Sequence, residues 1–197
     1  METMNVKITF TEAILGTWPN NPEIAAEYIA TKAPNYDEIE KELDALPAED
    51  QILKSMTLFP RTPAGIPAIY DYQIKGFLKD SVGMLRKVKG TVSSGFKAYK
   101  KEIDGLIFVT PRMIPIRFDG DIGSCQRPLR ASTPQGERVS LANSEEIPAG
   151  ASIEVSFQFY NKEHRDLIVE CLDYGKLRGI GQWRNSGKGR FEWELIE

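Results

Sequence analysis

The cleanest alternation in the chain runs through residues 151–160. Ile153, Val155, Phe157 and Phe159 fall on one side; Glu154, Ser156 and Gln158 fall on the other. Strict period two over this length predicts a half-buried strand. Residues 6–15 alternate at their start and predict another strand, closed by Gly16, Pro19, Asn20 and Asn21. Residues 106–109 are an apolar run and 113–117 its continuation or partner, with Pro111 and Pro115 placing this strand at a sheet edge or bulge. Residues 190–196 predict the last strand. Two stretches switch to a helical period. Within 68–86, Ile74, Phe77, Leu78, Val82 and Leu85 recur on one helix face. Gly76 and Gly83 interrupt that helix, each unfavourable by about 1 kcal/mol against Ala. They imply close packing on a sheet or, at Gly76, close approach of a ligand. Within 162–176, Leu167, Ile168, Cys171 and Leu172 share a face, Asn161 is placed to cap the helix, and His164 lies in its first turn.

The remaining stretches carry weaker patterns. Asn21 and Pro22 open a helix with Ile24, Tyr28 and Ile29 on one face, and residues 36–46 predict a second, acidic amphipathic helix. Residues 52–59 predict a short strand and 61–67 a loop. Residues 91–101 are basic and glycine-containing, predicting a flexible or paired loop. Residues 119–137 lack an apolar period and predict a long loop, with a short strand at 138–141 and a turn at 148–150. Taken in order, the well-patterned elements read β-α-β-β-α-β, the ferredoxin-like (RRM-like) arrangement of an α+β fold. The expectation is a single domain over 1–197. It carries an acidic helical insertion at about 17–66 and a basic loop or hairpin at about 117–150.

Charge changes this picture more than composition does. The net charge of −3 conceals a division. Residues 1–60 hold 11 acids against 4 bases, whereas residues 73–101 hold 8 bases and Asp80 as their one acid. An acidic chain can therefore present a basic surface. Cys125 and Cys171 are the two cysteines, with no C-x-x-C, so a structural zinc site is excluded. Without a secretion signal they point to a reducing cytoplasm. No apolar run approaches the length of a membrane span. No metal or cofactor is expected: Asp119 and Asp121, flanking Gly120, read as turn-forming carboxylates.

The candidate chemistry lies in residues 179–190. Gly179, Gly181, Gly187 and Gly189 are interspersed with Trp183, Arg184, Asn185, Ser186, Lys188 and Arg190. Backbone N–H groups of such a loop can form an anion nest, and three cations beside it favour a polyanion. A nucleotide-hydrolase phosphate loop is excluded. Five residues separate Gly181 from Gly187 where the motif has four, Gly189 replaces the Ser or Thr, and the loop follows a helix and precedes a strand. The plain alternative is a glycine-rich turn between helix and strand.

Four places, in the right order, resemble the RAMP superfamily of CRISPR-associated proteins, in particular the repeated backbone subunit of class 1 effector complexes. Residues 11–16 are similar to that family's first strand and following turn. Residues 72–79, with Lys75, Gly76 and Lys79, and then Arg86, resemble the Lys-Gly and Arg pattern of its first helix. Residues 135–139 and 146–153 resemble its turn-plus-strand approach to the third strand, and 179–190 its glycine-rich signature. Tyr72 and Gln73 stand where members carry Ser or Thr, and neither a thumb nor a cleavage-site aspartate matches residue by residue.

The resemblance implies binding of single-stranded RNA by its backbone, with copies of the chain or other CRISPR-type subunits stacked along it. The implied contacts are Lys75, Gly76, Lys79 and Arg86 on the first helix, and Gly181, Arg184, Ser186, Gly187, Lys188 and Arg190 in the loop. Arg117, Arg127, Arg130 and Arg138, in the insertion before the third strand, are expected to form an arm over the RNA. Trp183 is either a base-stacking ring or an anchor buried against its own domain. The superfamily also contains metal-independent endoribonucleases, for which His164 is the one available imidazole. A third reading is a stand-alone mimic that interferes with complex assembly.

Overall fold

The computed structural model describes residues 1–20, 56–133 and 136–196. In chain order the elements are β1 (Glu2–Phe10), β2 (Ile14–Leu15), β3 (Trp18–Pro19), β4 (Thr57–Leu58), β5 (Ala68–Tyr70) and α1 (Asp71–Leu85). A 3₁₀ turn at Val92–Gly95 precedes α2 (Tyr99–Leu106), β6 (Phe108–Thr110) and β7 (Met113–Pro115). Then come β8 (Gly123–Thr133), β9 (Gly136–Ile147), β10 (Ser152–Phe159), α3 (Lys162–Arg178), a 3₁₀ turn at Arg184–Ser186 and β11 (Phe191–Ile196). The described residues fall into two compact units, one within Met1–Ile14, Pro60–Asp121 and Ile147–Glu197, the other within Leu15–Phe59 and Ile122–Glu146.

The first unit is built on a four-stranded sheet in the order β11-β1-β10-β6, antiparallel at every pairing. Numbering these four strands by their place in the chain gives the order 4-1-3-2. With α1 and α3 as the two crossovers, the fold is α+β and ferredoxin-like, decorated by insertions. Alternation places Met4, Val6, Ile8 and Phe10 of β1, and Ile153, Val155, Phe157 and Phe159 of β10, on one buried face. Ile74, Phe77, Leu78 and Val82 of α1 and Leu167, Ile168, Cys171 and Leu172 of α3 complete this core. Each such side chain contributes roughly 1.5–3 kcal/mol by leaving water. The opposite sheet face is polar: Ser156 Oγ donates to Asn5 Oδ1 at 2.7 Å, and Lys7 pairs with Glu194 at 3.2 Å.

Several elements depart from their sequence patterns. β1 begins earlier than expected, at Glu2, and ends at Phe10. α1 begins at Asp71, because residues 68–70 form β5 and pair with β7. Its first turn is fixed by Gln73 Oε1, which accepts the Tyr70 N–H at 2.7 Å, and by Asp71 Oδ1, which accepts the Tyr72 N–H at 2.8 Å. The strand expected over 106–117 is two strands in two sheets. β6 is the edge of the main sheet, and β7 turns away across a cis Thr110–Pro111 bond to pair with β5. The basic stretch 91–101 is not a loop but a 3₁₀ turn leading into α2. Glu170 of α3 organises that turn. Its carboxylate accepts the N–H groups of Val92 and Ser93 at 2.7 and 2.9 Å and the Ser93 hydroxyl at 2.5 Å. In α3, Asn161 Oδ1 accepts the His164 N–H at 2.9 Å, the N-cap read from the sequence.

In the second unit the insertion expected as a basic loop or hairpin is a hairpin, in continuous register from Gly123↔Glu146 to Thr133↔Gly136, where residues 119–137 by themselves predict a long loop. β4 joins β9 in parallel at Thr57↔Ser144 and pairs antiparallel with β3. Side chains reinforce that seam: Thr57 Oγ1 and Ser144 Oγ are 2.6 Å apart, and Glu145 Oε2 accepts the Phe59 N–H at 2.7 Å. The helices expected from Asn21 onward and over 36–46, and the first half of the 52–59 strand, lie outside the described residues.

The close approach of α3 to the sheet yields a stability test. A Cβ on Gly175 would strike the rings of Phe191 and Phe77. Helix propensity alone would favour Gly175→Ala by about 1 kcal/mol, but overpacking costs about 1–3 kcal/mol. Denaturant unfolding is expected to show net destabilisation of this variant.

Candidate nucleic-acid interface

The glycine loop is closed by its own backbone. The Ile180 N–H donates to Gly189 O and the Gly189 N–H to Ala13 O, each at 2.9 Å. Ser186 and Gly187 donate to Trp183 O and Arg184 O at 3.0 and 2.9 Å, and Gly179 donates to Gly175 O at 2.8 Å. Five of the loop's amides are therefore spent on carbonyls, so an anion nest would draw on the remaining ones, beside the lysine and arginine side chains. The glycines serve the closure. A Cβ on Gly189 would strike Ile180 O, one on Gly179 would come within 2.6 Å of Lys188 O, and both residues have positive φ. Trp183 also adopts a left-handed backbone, φ 56°, a strain of about 1–3 kcal/mol for a bulky residue. Its ring is 37% exposed.

One carboxylate joins this loop to α1. Asp80 Oδ2 accepts from Arg178 Nε at 3.1 Å and from Arg184 Nη1 at 2.7 Å. Arg178 Nη1 also reaches Asn185 Oδ1 at 2.7 Å. The expected neighbourhood of helix and loop is thus present, but its centre is a shared anion, and Arg184 is partly neutralised by it. Arg190 is exposed, and its Nε donates to Leu177 O at 3.0 Å. Lys188 is half-buried.

The cations of α1 occupy the adjoining side of the helix. Lys79 Nζ pairs with Asp104 at 2.7 Å, and Lys75 Nζ donates to Asp104 O at 3.2 Å. Both lysines remain partly exposed. Arg86 is exposed and lies 5.3 Å from the centroid of Tyr99. Gly76 lies one turn before Asp80. It is exposed, and a Cβ there would meet nothing within 4 Å. Packing accounts for Gly83, whose Cβ would come 3.1 Å from the Tyr99 hydroxyl, but not for Gly76.

The other candidates lie elsewhere. Arg127 is buried in the second unit and donates to Ser144 Oγ at 3.0 Å, which leaves it little surface for a ligand. Arg130 and Arg138 fall at adjacent register positions of the β8–β9 hairpin. His164 is 2% exposed, beside the Phe96 ring, with Nε2 3.9 Å from Glu102 Oε2. An imidazole so enclosed does not reach a substrate. Cys171 is also sealed in the core; burial, then the charge of Glu170, pushes its thiol far up from the usual range. Among the described residues no three His, Cys, Asp or Glu side chains converge as metal ligands, and no helix is long and apolar enough to cross a membrane. The sequence reading missed Asp80 as the hub and the aromatic residues that border Lys75. Their aromatic identity was visible, but their association was not.

No protein-family model matches the chain, and no curated protein matches it. Solved structures do match. One is a chain in the cryo-electron-microscopy structure of the Type III-B Cmr-beta bound to cognate target RNA. It aligns with a TM-score of 0.53 at 12% identity, over 99% of this chain and 60% of that one. The chain therefore spans 60% of the length of its structural neighbour, and what the two share is a fold.

Proposed function

We propose that this chain holds single-stranded RNA by its backbone, as a non-catalytic subunit of a CRISPR-type ribonucleoprotein of the cytoplasm that assembles head to tail with copies of itself or related subunits. The observation that carries this reading is Gly76. It is an exposed glycine in the interior of a helix, and among the described residues no packing contact requires it. It is flanked by Lys75 and Lys79 and shares a helix side with Asp80, the residue that binds the loop. A missing side chain between cations lets a phosphate backbone lie close to the helix, where contacts fix register without reading sequence. Lys75, Lys79, Arg184, Lys188 and Arg190 supply the positive charge, with Arg86 beyond the helix end. Gly181, Ser186 and Gly187 shape the loop that carries part of it. The hairpin positions Arg130 and Arg138 are a separate candidate for phosphate contact. The matched structure is bound to RNA, which agrees with this reading. The endoribonuclease reading loses its base, because His164 is enclosed.

Two measurements test it. Gly76→Ala is expected to stabilise the fold by up to about 1 kcal/mol and raise Tm, while weakening affinity for RNAs of unrelated sequence. A variant that is stabilised and binds RNA unchanged contradicts the role of Gly76. Replacing Lys79 and Lys188 together by Ala removes about two phosphate contacts, so the slope of log affinity against log salt is expected to shallow by about 1.4 for a single strand. An unaltered slope excludes both lysines from the contact.

A further inference from the structure

A cluster at the start of α1 goes beyond backbone contact. The Tyr70 and Tyr72 rings stack with centroids 5.2 Å apart and planes 17° from parallel. The Arg112 guanidinium lies 5.6 Å from the first centroid and 5.4 Å from the second. Arg112 is itself held: its Nη1 donates to Asp71 Oδ1 at 2.5 Å, and its carbonyl accepts the Asp71 N–H at 3.0 Å. One helical turn beyond Tyr72, the Lys75 ammonium lies 5.4 Å from the Phe108 centroid. Tyr72 is 44% exposed and Phe108 38%.

A single exposed aromatic is ordinary on a protein surface. Here two exposed rings each carry a cation against them, within one turn of a helix and the neighbouring edge strand. A protein-docking surface would bring aromatic and apolar side chains together and exclude lysine from its centre; here Lys75 lies against Phe108 and Arg112 against Tyr72. Aromatic faces alternating with cations are the chemistry of single-strand binding, in which bases stack on rings and phosphates meet the charges. Tyr72 also stands where the resembled family carries Ser or Thr, so the platform belongs to this chain's own residues.

We propose that nucleobases of single-stranded RNA stack on Tyr72 and Phe108, with Arg112 and Lys75 holding the flanking phosphates. This rests on the backbone-binding reading and adds to it a contact that requires bases. The test compares a fluorescent oligouridylate with an abasic phosphodiester of the same length, by anisotropy. The wild-type protein is expected to prefer the base-bearing strand by roughly tenfold or more per stacked ring. Tyr72→Leu and Phe108→Leu, each checked for folding by its thermal transition, are expected to cut that preference by weakening binding of the base-bearing strand more than that of the abasic one. Tyr72→Phe, which keeps the ring, is expected to preserve it. Equal binding of both strands by wild type overturns the platform and leaves the backbone reading standing. A preference untouched by both leucine variants also overturns the platform and leaves the rings to a protein partner. Failure to bind either strand removes the backbone reading and the platform with it.

Discussion

The arrangement depends on one carboxylate serving two guanidiniums. Asp80 is on α1, Arg178 ends α3 and Arg184 lies in the glycine loop, so a single side chain fastens three segments. An isolated ion pair at a surface is worth little. These three side chains are only 25–29% exposed, and Arg178 extends the network to Asn185. Hydrogen bonds to charged groups in such settings contribute about 1.5–3 kcal/mol. Among the described residues of the loop, Ile180 is the one buried large apolar side chain between Gly179 and Arg190. Its geometry therefore rests on backbone closure and on this shared anion. Without Asp80 the two guanidiniums would face each other uncompensated, and the loop would lose its tie to α1.

The glycines divide into two kinds. Gly175, Gly179 and Gly189 are demanded by contacts that a Cβ would violate. Among the described residues nothing approaches a Cβ built on Gly76, so no contact there accounts for the helix stability it forfeits. Five of the closed loop's amides are already paired, which leaves the lysines and arginines around this rigid turn to carry its charge. The outer face of the sheet is polar at its centre, where Lys7 meets Glu194 and Asn5 meets Ser156, and carries the exposed Phe108 ring on its edge strand, paired with Gln158.

Much of the scaffold was legible because its signals are local. Period two at Ser152–Phe159, the Asn161 cap and the terminal strand each depend on neighbours within a few residues. The failures share a different cause. The 3₁₀ turn after Thr91 is held by Glu170, 77 or 78 residues away, and α2 buries Ile103 as its one described core residue, so no apolar period announces either. The β8–β9 stretch, a loop or hairpin by its sequence, is a hairpin paired in continuous register. In the candidate interface, counting charge picked out 73–101 as basic and treated Asp80 as the exception, whereas that exception organises the cations around it. The Arg112–Asp71 pair spans 41 residues and was equally invisible, although its aromatic neighbours stood in plain sight.

The most direct test is to titrate the isotopically labelled protein with a single-stranded RNA and follow its backbone amide resonances. Shifts concentrated at 72–80 and 183–190, with Asn5, Lys7 and Ser156 unmoved, are the expected result. Shifts on the open sheet face, with α1 and the loop silent, would contradict a binding surface built around the anchorage of the loop at Asp80.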